Sequence, residues 1–211
     1  LSRKVLDESA RDLGEYGYAG QFGQQPVPLS GGMFKVERVD MDVAPNDMVK
    51  TVRYWDKAGT KDGAGARTAG VKMGVDKRGR YWILNVVKGR WDSFQREQII
   101  LATAKQDTIK VKVGIEQEPG SGGKESAENT VRTLAGFSVK MDRPTGDKTV
   151  RADPFSTQVN GRNVSIVQGD WTAEYLEELR FFPNGRYKDQ VDASSGAFAM
   201  LVRKRIAVGA L

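Results

Sequence analysis

Five acidic residues hold the chemistry that this sequence could perform. Asp56 closes the aromatic run Val52-Arg53-Tyr54-Trp55-Asp56. Glu116 and Glu118 stand in Gly114-Ile115-Glu116-Gln117-Glu118-Pro119-Gly120, and Asp189 and Asp192 stand three apart in Asp189-Gln190-Val191-Asp192. The chain has no histidine and no cysteine. That excludes imidazole and thiolate metal sites, Ser-His-Asp catalysis and disulfides. Carboxylate, lysine, arginine, serine, threonine and tyrosine are the groups left for catalysis. Carboxylates suit hard, oxygen-preferring cations such as Mg²⁺ or Mn²⁺. Gathered together they repel unless a cation neutralises them. Two divalent ions about 3.5–4 Å apart would do so while clamping a scissile phosphate. Metal-dependent phosphodiester hydrolysis is the reaction such a set would serve, anchored on Asp56. Taken singly, each acid also has a plainer use as a turn residue, a helix cap or a solvated charge.

Such a site needs elements that bring distant acids together. Apolar alternation predicts strands over 49–55, 69–75 and 80–87, an antiparallel meander whose first member ends at Asp56. A helix follows over 91–104, then a strand over 110–116 that ends on Glu116. Further on, helices are expected over 126–134, 148–159 (with Pro154 inside), 171–182 and 189–202, and strands over 137–141 and 164–167. This order implies an α/β fold, a mixed sheet of meander plus parallel strands with helices on both faces. In such sheets, sites lie outside the carboxyl ends of strands. Asp189 and Asp192, at i and i+3, share a helix face.

Before the meander, a short helix is expected over 3–15 and an extended, Gly/Gln/Pro-rich leader over 14–28. Met33 to Val39 reads as a strand and 40–48 as a loop, with the main boundary near residue 48. The first residues lack a methionine, so a piece of a longer protein is expected. Gly120-Ser121-Gly122-Gly123 reads as a chain break. Gly123-Lys124 is not a phosphate loop, because Glu118 and Glu125 occupy the positions that need Gly and Ser or Thr. The chain has 211 residues, 39% hydrophobic, with 33 basic and 27 acidic side chains and a net charge of +6. This is enough for one core, and the charge is compatible with a polyanionic partner. No stretch of about 18 apolar residues is present to span a membrane, and no signal-like apolar segment follows the N-terminus.

Five segments occur in an order that resembles the C-terminal nuclease domain of the large terminase subunit of tailed bacteriophages. They are Gln21 to Pro28 with Gly31-Gly32-Met33-Phe34; Tyr54-Trp55-Asp56; Ile115-Glu116 through Gly123-Lys124; Asp147-Lys148 with Arg151-Ala152; and Phe181-Phe182-Pro183 with Asp189 through Ala193. The resemblance implies an RNase H-like fold and two-metal (Mg²⁺ or Mn²⁺) cutting of double-stranded DNA during genome packaging. Asp56, Glu116 and Asp189 would form the acidic triad. Lys188-Asp189 stands where the family has paired aspartates, so Asp192 shares or takes the third role, and Glu118, a second acid beside Glu116, is the alternative for the middle one. Candidate phosphate contacts are Lys57, Lys61, Arg67, Lys124, Lys148, Arg151, Arg186 and Lys188. The resemblance also makes residues 1–48 the leader from a motor domain that this chain lacks, and 49–211 the nuclease, with no ATPase activity expected. It implies action in the host cytoplasm, with the viral portal and small terminase subunit as partners of the full-length protein. A junction resolvase, or a non-catalytic module docking DNA or portal, are the alternatives.

Overall fold

The computed structural model describes residues 32–57 and 67–202. Seven strands form one mixed sheet: β1 (Asp40–Met41), β2 (Met48–Asp56), β3 (Thr68–Asp76), β4 (Tyr81–Gly89), β5 (Lys112–Glu116), β6 (Val139–Asp142) and β7 (Val164–Ile166), in the order β1-β7-β4-β3-β2-β5-β6. The expected meander β2-β3-β4 is antiparallel. The strands β5 and β6 extend it in parallel beside β2, and β7 and β1 extend it in parallel beside β4. Five α-helices accompany it: α1 (Ser93–Asp107), α2 (Ser121–Thr133), α3 (Lys148–Asn160), α4 (Thr172–Phe181) and α5 (Asp189–Val202).

The alternation of side chains along β2 assigns the helices to faces. Val52 and Tyr54 join a large core with Phe155 of α3, Tyr175 and Leu179 of α4, and Val191, Ala197 and Phe198 of α5. Trp55 points the other way, into a smaller core with Ile100 and Ala104 of α1 and Ala127 of α2. Helices therefore cover both faces of the sheet, as the order of elements implied. The second face also holds a buried polar knot, in which the Arg53 guanidinium pairs with Asp107 and donates to the Gly70 carbonyl at 3.0 Å and to Asn85 at 2.8 Å.

Three expectations need correction. Met33 to Val39 is not a strand; Val36–Arg38 form one 3₁₀ turn. Phe34 and Val36 alternate as in a strand, but the backbone of their neighbours Met33 and Lys35 is bonded to a side chain at the end of α3 and not to a strand. Asn160 accepts from the Lys35 amide at 2.8 Å and donates to the Met33 carbonyl at 3.0 Å. The segment 40–48 also contains a short strand, β1 at the sheet edge, so residues 33–41 pack with the domain, Phe34 against Phe155 and Phe182. The glycines at 120–123 do not break the chain either. Gly120, at φ +92°, turns it directly into α2, and Gly123 lies inside that helix. A Cβ at 123 would stand 2.2 Å from the Glu118 carbonyl oxygen, so glycine lets the helix start close against the preceding turn. The expected helix over 3–15, the leader over 14–28 and most of the loop after Asp56 lie outside the described residues.

Candidate metal centre

The strand β2 carries Asp56 at its end on the same face as Val52 and Tyr54, toward α5. The parallel neighbour β5 is paired with it as far as Trp55 opposite Ile115, so Glu116 ends β5 level with Asp56. The first turn of α5 supplies Asp189 and Asp192. Asp56, Asp189 and Asp192 are 9%, 7% and 2% exposed. Two strand ends and one helix start thus bring four of the five acids to one end of one face.

The electrostatics record that convergence. Burial, followed by the charges of Glu116, Asp192 and Asp189, pushes the Asp56 carboxyl well above the ordinary range, with Lys148 opposing. Burial also raises Glu116 and Asp192, against the opposing pull of Lys148 and Arg151. Lys148 donates to Asp192 Oδ2. Arg151 reaches Glu116 Oε1 at 3.4 Å and Asp192 Oδ1 at 3.7 Å. For Lys148 itself, burial alone would lower the ammonium; the hydrogen bond to Asp192 and the charges of Asp192, Asp56 and Glu116 outweigh it and raise it.

Helix α5 owes its start to a carboxylate from another helix. Glu178 of α4 accepts from the Gln190 amide at 2.6 Å, the Val191 amide at 3.2 Å, Gln190 Nε2 at 2.7 Å and Arg67 Nη2 at 2.7 Å. These amides are first-turn donors that a helix cannot satisfy internally. With Glu178 on them, Asp189 and Asp192 are released from capping and face the strand-end acids.

The remaining sequence candidates distribute unevenly. Glu118 is half-buried, and its charge acts on Lys57 rather than on Asp56. Lys57 does not face the acids. One residue past Asp56, it points to the opposite side of the sheet, where its buried ammonium donates to the Ser126 carbonyl, Ser126 Oγ and Thr130 Oγ1 at 2.7–2.9 Å. It is spent holding β2 to α2. Arg67 stacks on Tyr187, 3.7 Å from the ring centre, with its Nε 3.5 Å from Asp189 Oδ2. Arg186 is exposed beside the same ring, and both line a cavity of about 330 Å³ with Glu174 and Glu178. The Lys188 carbonyl accepts the first α5 bond, from the Asp192 amide. Lys124 lies on the surface, 3.7 Å from Glu128. Lys61 is outside the described residues.

Two acids were missed by sequence reasoning, Asp142 and Glu178. Asp142 ends β6 opposite Glu116, and Tyr54 Oη donates to its Oδ2 at 3.4 Å. The signal was available, since Asp142 also ends a parallel strand. Glu178 offered no such signal, because its role depends on how α4 and α5 pack.

The donor set suits a hard cation. Glu116 Oε2 and Asp189 Oδ2 are buried with no hydrogen-bond partner, and the carboxylates repel one another. Among the described residues, no three acids are drawn into a ready cage. Mg²⁺ does not require one, because it is commonly held by one or two carboxylates together with water and substrate phosphate.

Residues 53–201 match the profile of the terminase RNaseH-like domain. The chain belongs to that family. No curated protein matches this chain by sequence. Its fold is similar to the large terminase nuclease of thermophilic phage G20c solved with bound magnesium: TM-score 0.59, 10% identity, 82% of this chain and all of that one covered. It is also similar to the large terminase nuclease domain of Thermus phage P74-26, at TM-score 0.58 and 10% identity over 82% of this chain and 97% of that one. The large terminase of bacteriophage HK97 matches over 95% of this chain at TM-score 0.54 and 9% identity, and this chain spans 51% of that longer protein. These likenesses establish the fold. No helix among the described residues is long and apolar enough to cross a membrane.

Proposed function

We propose that this domain is a divalent-metal-dependent endonuclease that cuts double-stranded viral DNA during genome packaging. The observation that carries the reading is the convergence of Asp56, Glu116, Asp189 and Asp192 at one end of one sheet face, in a chain of the terminase family. Two Mg²⁺ or Mn²⁺ ions bound there would activate a water for attack on phosphorus and stabilise the leaving 3′-oxygen.

Asp56 lies at the centre of the acidic set, its charge opposed by every other member, and is the ligand whose ionisation most needs a cation. Glu116, rather than Glu118, is the ligand from β5, because its charge acts on Asp56. Asp192 and Asp189 both serve from α5. Lys148 and Arg151 hold the acids in place and offset part of their repulsion. Lys148 is half-exposed, so its ammonium is also within reach of a phosphate oxygen of bound DNA. Arg67 and Arg186 are the further phosphate contacts the geometry favours. In the full-length protein, the portal and the small terminase subunit would be partners, within the host cytoplasm.

Mn²⁺-dependent nicking of supercoiled plasmid tests the reading, with fold checked by circular dichroism. Asp56→Ala should abolish nicking and weaken Mn²⁺ binding by calorimetry. Nicking at the wild-type rate by folded Asp56→Ala would remove Asp56 from the chemistry.

A further inference from the structure

The ring of Tyr54 lies where the three acid-bearing elements meet, 1% exposed. A methyl group on Gly114 of β5 would stand 2.5 Å from its Cδ2 and 2.4 Å from Met200 Sδ of α5, and one on Gly196 of α5 would stand 2.3 Å from the ring's Cε1. The ring therefore fills the space that two side chains would otherwise need. Each of these residues is one step along the same face from an acid. Asp56 is two residues beyond Tyr54 on β2, Glu116 is two beyond Gly114 on β5, and Asp192 is one helical turn before Gly196 on α5. The Tyr54 hydroxyl then reaches Asp142 at the end of β6.

We propose that Tyr54 is a positioning residue, a rigid spacer between β5 and α5 that sets the separation of the α5 acids from Asp56 and Glu116. An apolar core could be filled by many side chains at this point. A rigid ring that stands against the bare backbone of Gly114 and of Gly196 fixes a distance instead, with Met200 of α5 packed beside it. Packing that orients ligands in this way typically changes metal affinity by about 10–100-fold when disturbed.

The inference rests on the metal-site reading, and two readouts keep the two apart. The first is the Asp56–Asp192 separation in metal-free crystals of wild type, Gly196→Ala and Tyr54→Leu. The second is Mn²⁺ affinity of the same proteins by calorimetry. Gly196→Ala should push α5 away from β2, Tyr54→Leu should let it settle inward, and both should weaken Mn²⁺ binding by about tenfold or more. Tyr54→Phe, which keeps the ring, should recover most of what Tyr54→Leu loses. If Gly196→Ala does not fold, Tyr54→Leu, which adds no bulk, decides. Unchanged carboxylate separations in the folded variants overturn the spacer, as does unchanged Mn²⁺ affinity. A wild type that binds no Mn²⁺ overturns the metal reading instead, and the crystal separations still decide whether Tyr54 sets the geometry.

Discussion

Replacing Glu178 with alanine tests how the acidic helix is held. The substitution removes one carboxylate from four donors, the Gln190 and Val191 amides, Gln190 Nε2 and Arg67 Nη2, at a position 5% exposed. Loss of a helix cap costs about 1–2 kcal/mol. Stranding a buried cation costs about 3–5 kcal/mol, but Arg67 keeps Glu174 and Asp189 within 3.8 Å, so only part of that applies. Burial raises the Glu178 carboxyl, and removing an acid that is costly to bury returns some of the loss. The sum is a destabilisation of about 3 kcal/mol, or a Tm lower by about 6–12 °C for a chain of this size. Urea unfolding followed by tryptophan fluorescence measures it, and Glu178→Gln, which keeps one acceptor oxygen, should lose less than half as much. Because α5 begins with Asp189 and Asp192, Mn²⁺ affinity should fall with the cap even where the variant remains folded. An alanine variant within about 1 kcal/mol of wild type would refute the cap, showing that water replaces the carboxylate at no cost.

Asp56→Asn should stabilise the metal-free protein at pH 7 by about 1–2 kcal/mol. A carboxyl raised on folding contributes its full stability below its unfolded pKa near 4 and loses it as pH climbs through the raised value; Asp56, Glu116 and Asp192 all act in this sense. The gain should therefore shrink toward pH 4 in urea melts, and a gain larger at pH 4 than at pH 7 would contradict the repulsion. Lys57 has the opposite dependence. Burial lowers its ammonium from 10.5 to about 8, so its contribution is complete above about 10.5 and is lost as pH falls through 8; wild type should gain on Lys57→Met by on the order of 2 kcal/mol between pH 8 and 10.5, and a constant difference would count against it. In α2, Gly123→Ala meets the Glu118 carbonyl and should cost about 1–3 kcal/mol. Gly122→Ala meets nothing within 4 Å and should gain up to about 1 kcal/mol, a contrast that thermal melts of the two variants will show or deny.

Much of this architecture was legible in the chain itself. Long apolar alternations located β2, β3 and β4, and the position of acids at strand ends was enough to bring Asp56 and Glu116 together. The less legible parts depended on packing. Phe34 and Val36 alternate like a strand, yet they pack against helix ends. Lys57 looked like a phosphate contact because it adjoins Asp56 in sequence, but alternation carries it to the opposite face and under α2. Asp142 escaped notice although its strand was expected, because that strand was drawn to end at 141, one residue short of the acid. Glu178 reaches α5 across twelve residues of chain, and nothing local distinguishes it from an ordinary solvated glutamate. Lys148 and Arg151 were visible as cations, but only the fold turns them onto Asp192 and Glu116.

The alternation along β2 sets a limit on how this domain can change over time. Adding or deleting one residue between Val52 and Asp56 would exchange the contents of the two cores, sending Asp56 beneath α2 and Lys57 among the acids. Replacing a residue in place disturbs only its own neighbourhood. Such a strand tolerates extensive drift in identity but almost none in length. Identities near 10% alongside a shared fold are what a strand with a fixed reading frame permits, so relatives of this site are better sought by the count of residues between its acids and its aromatic spacer than by the residues themselves.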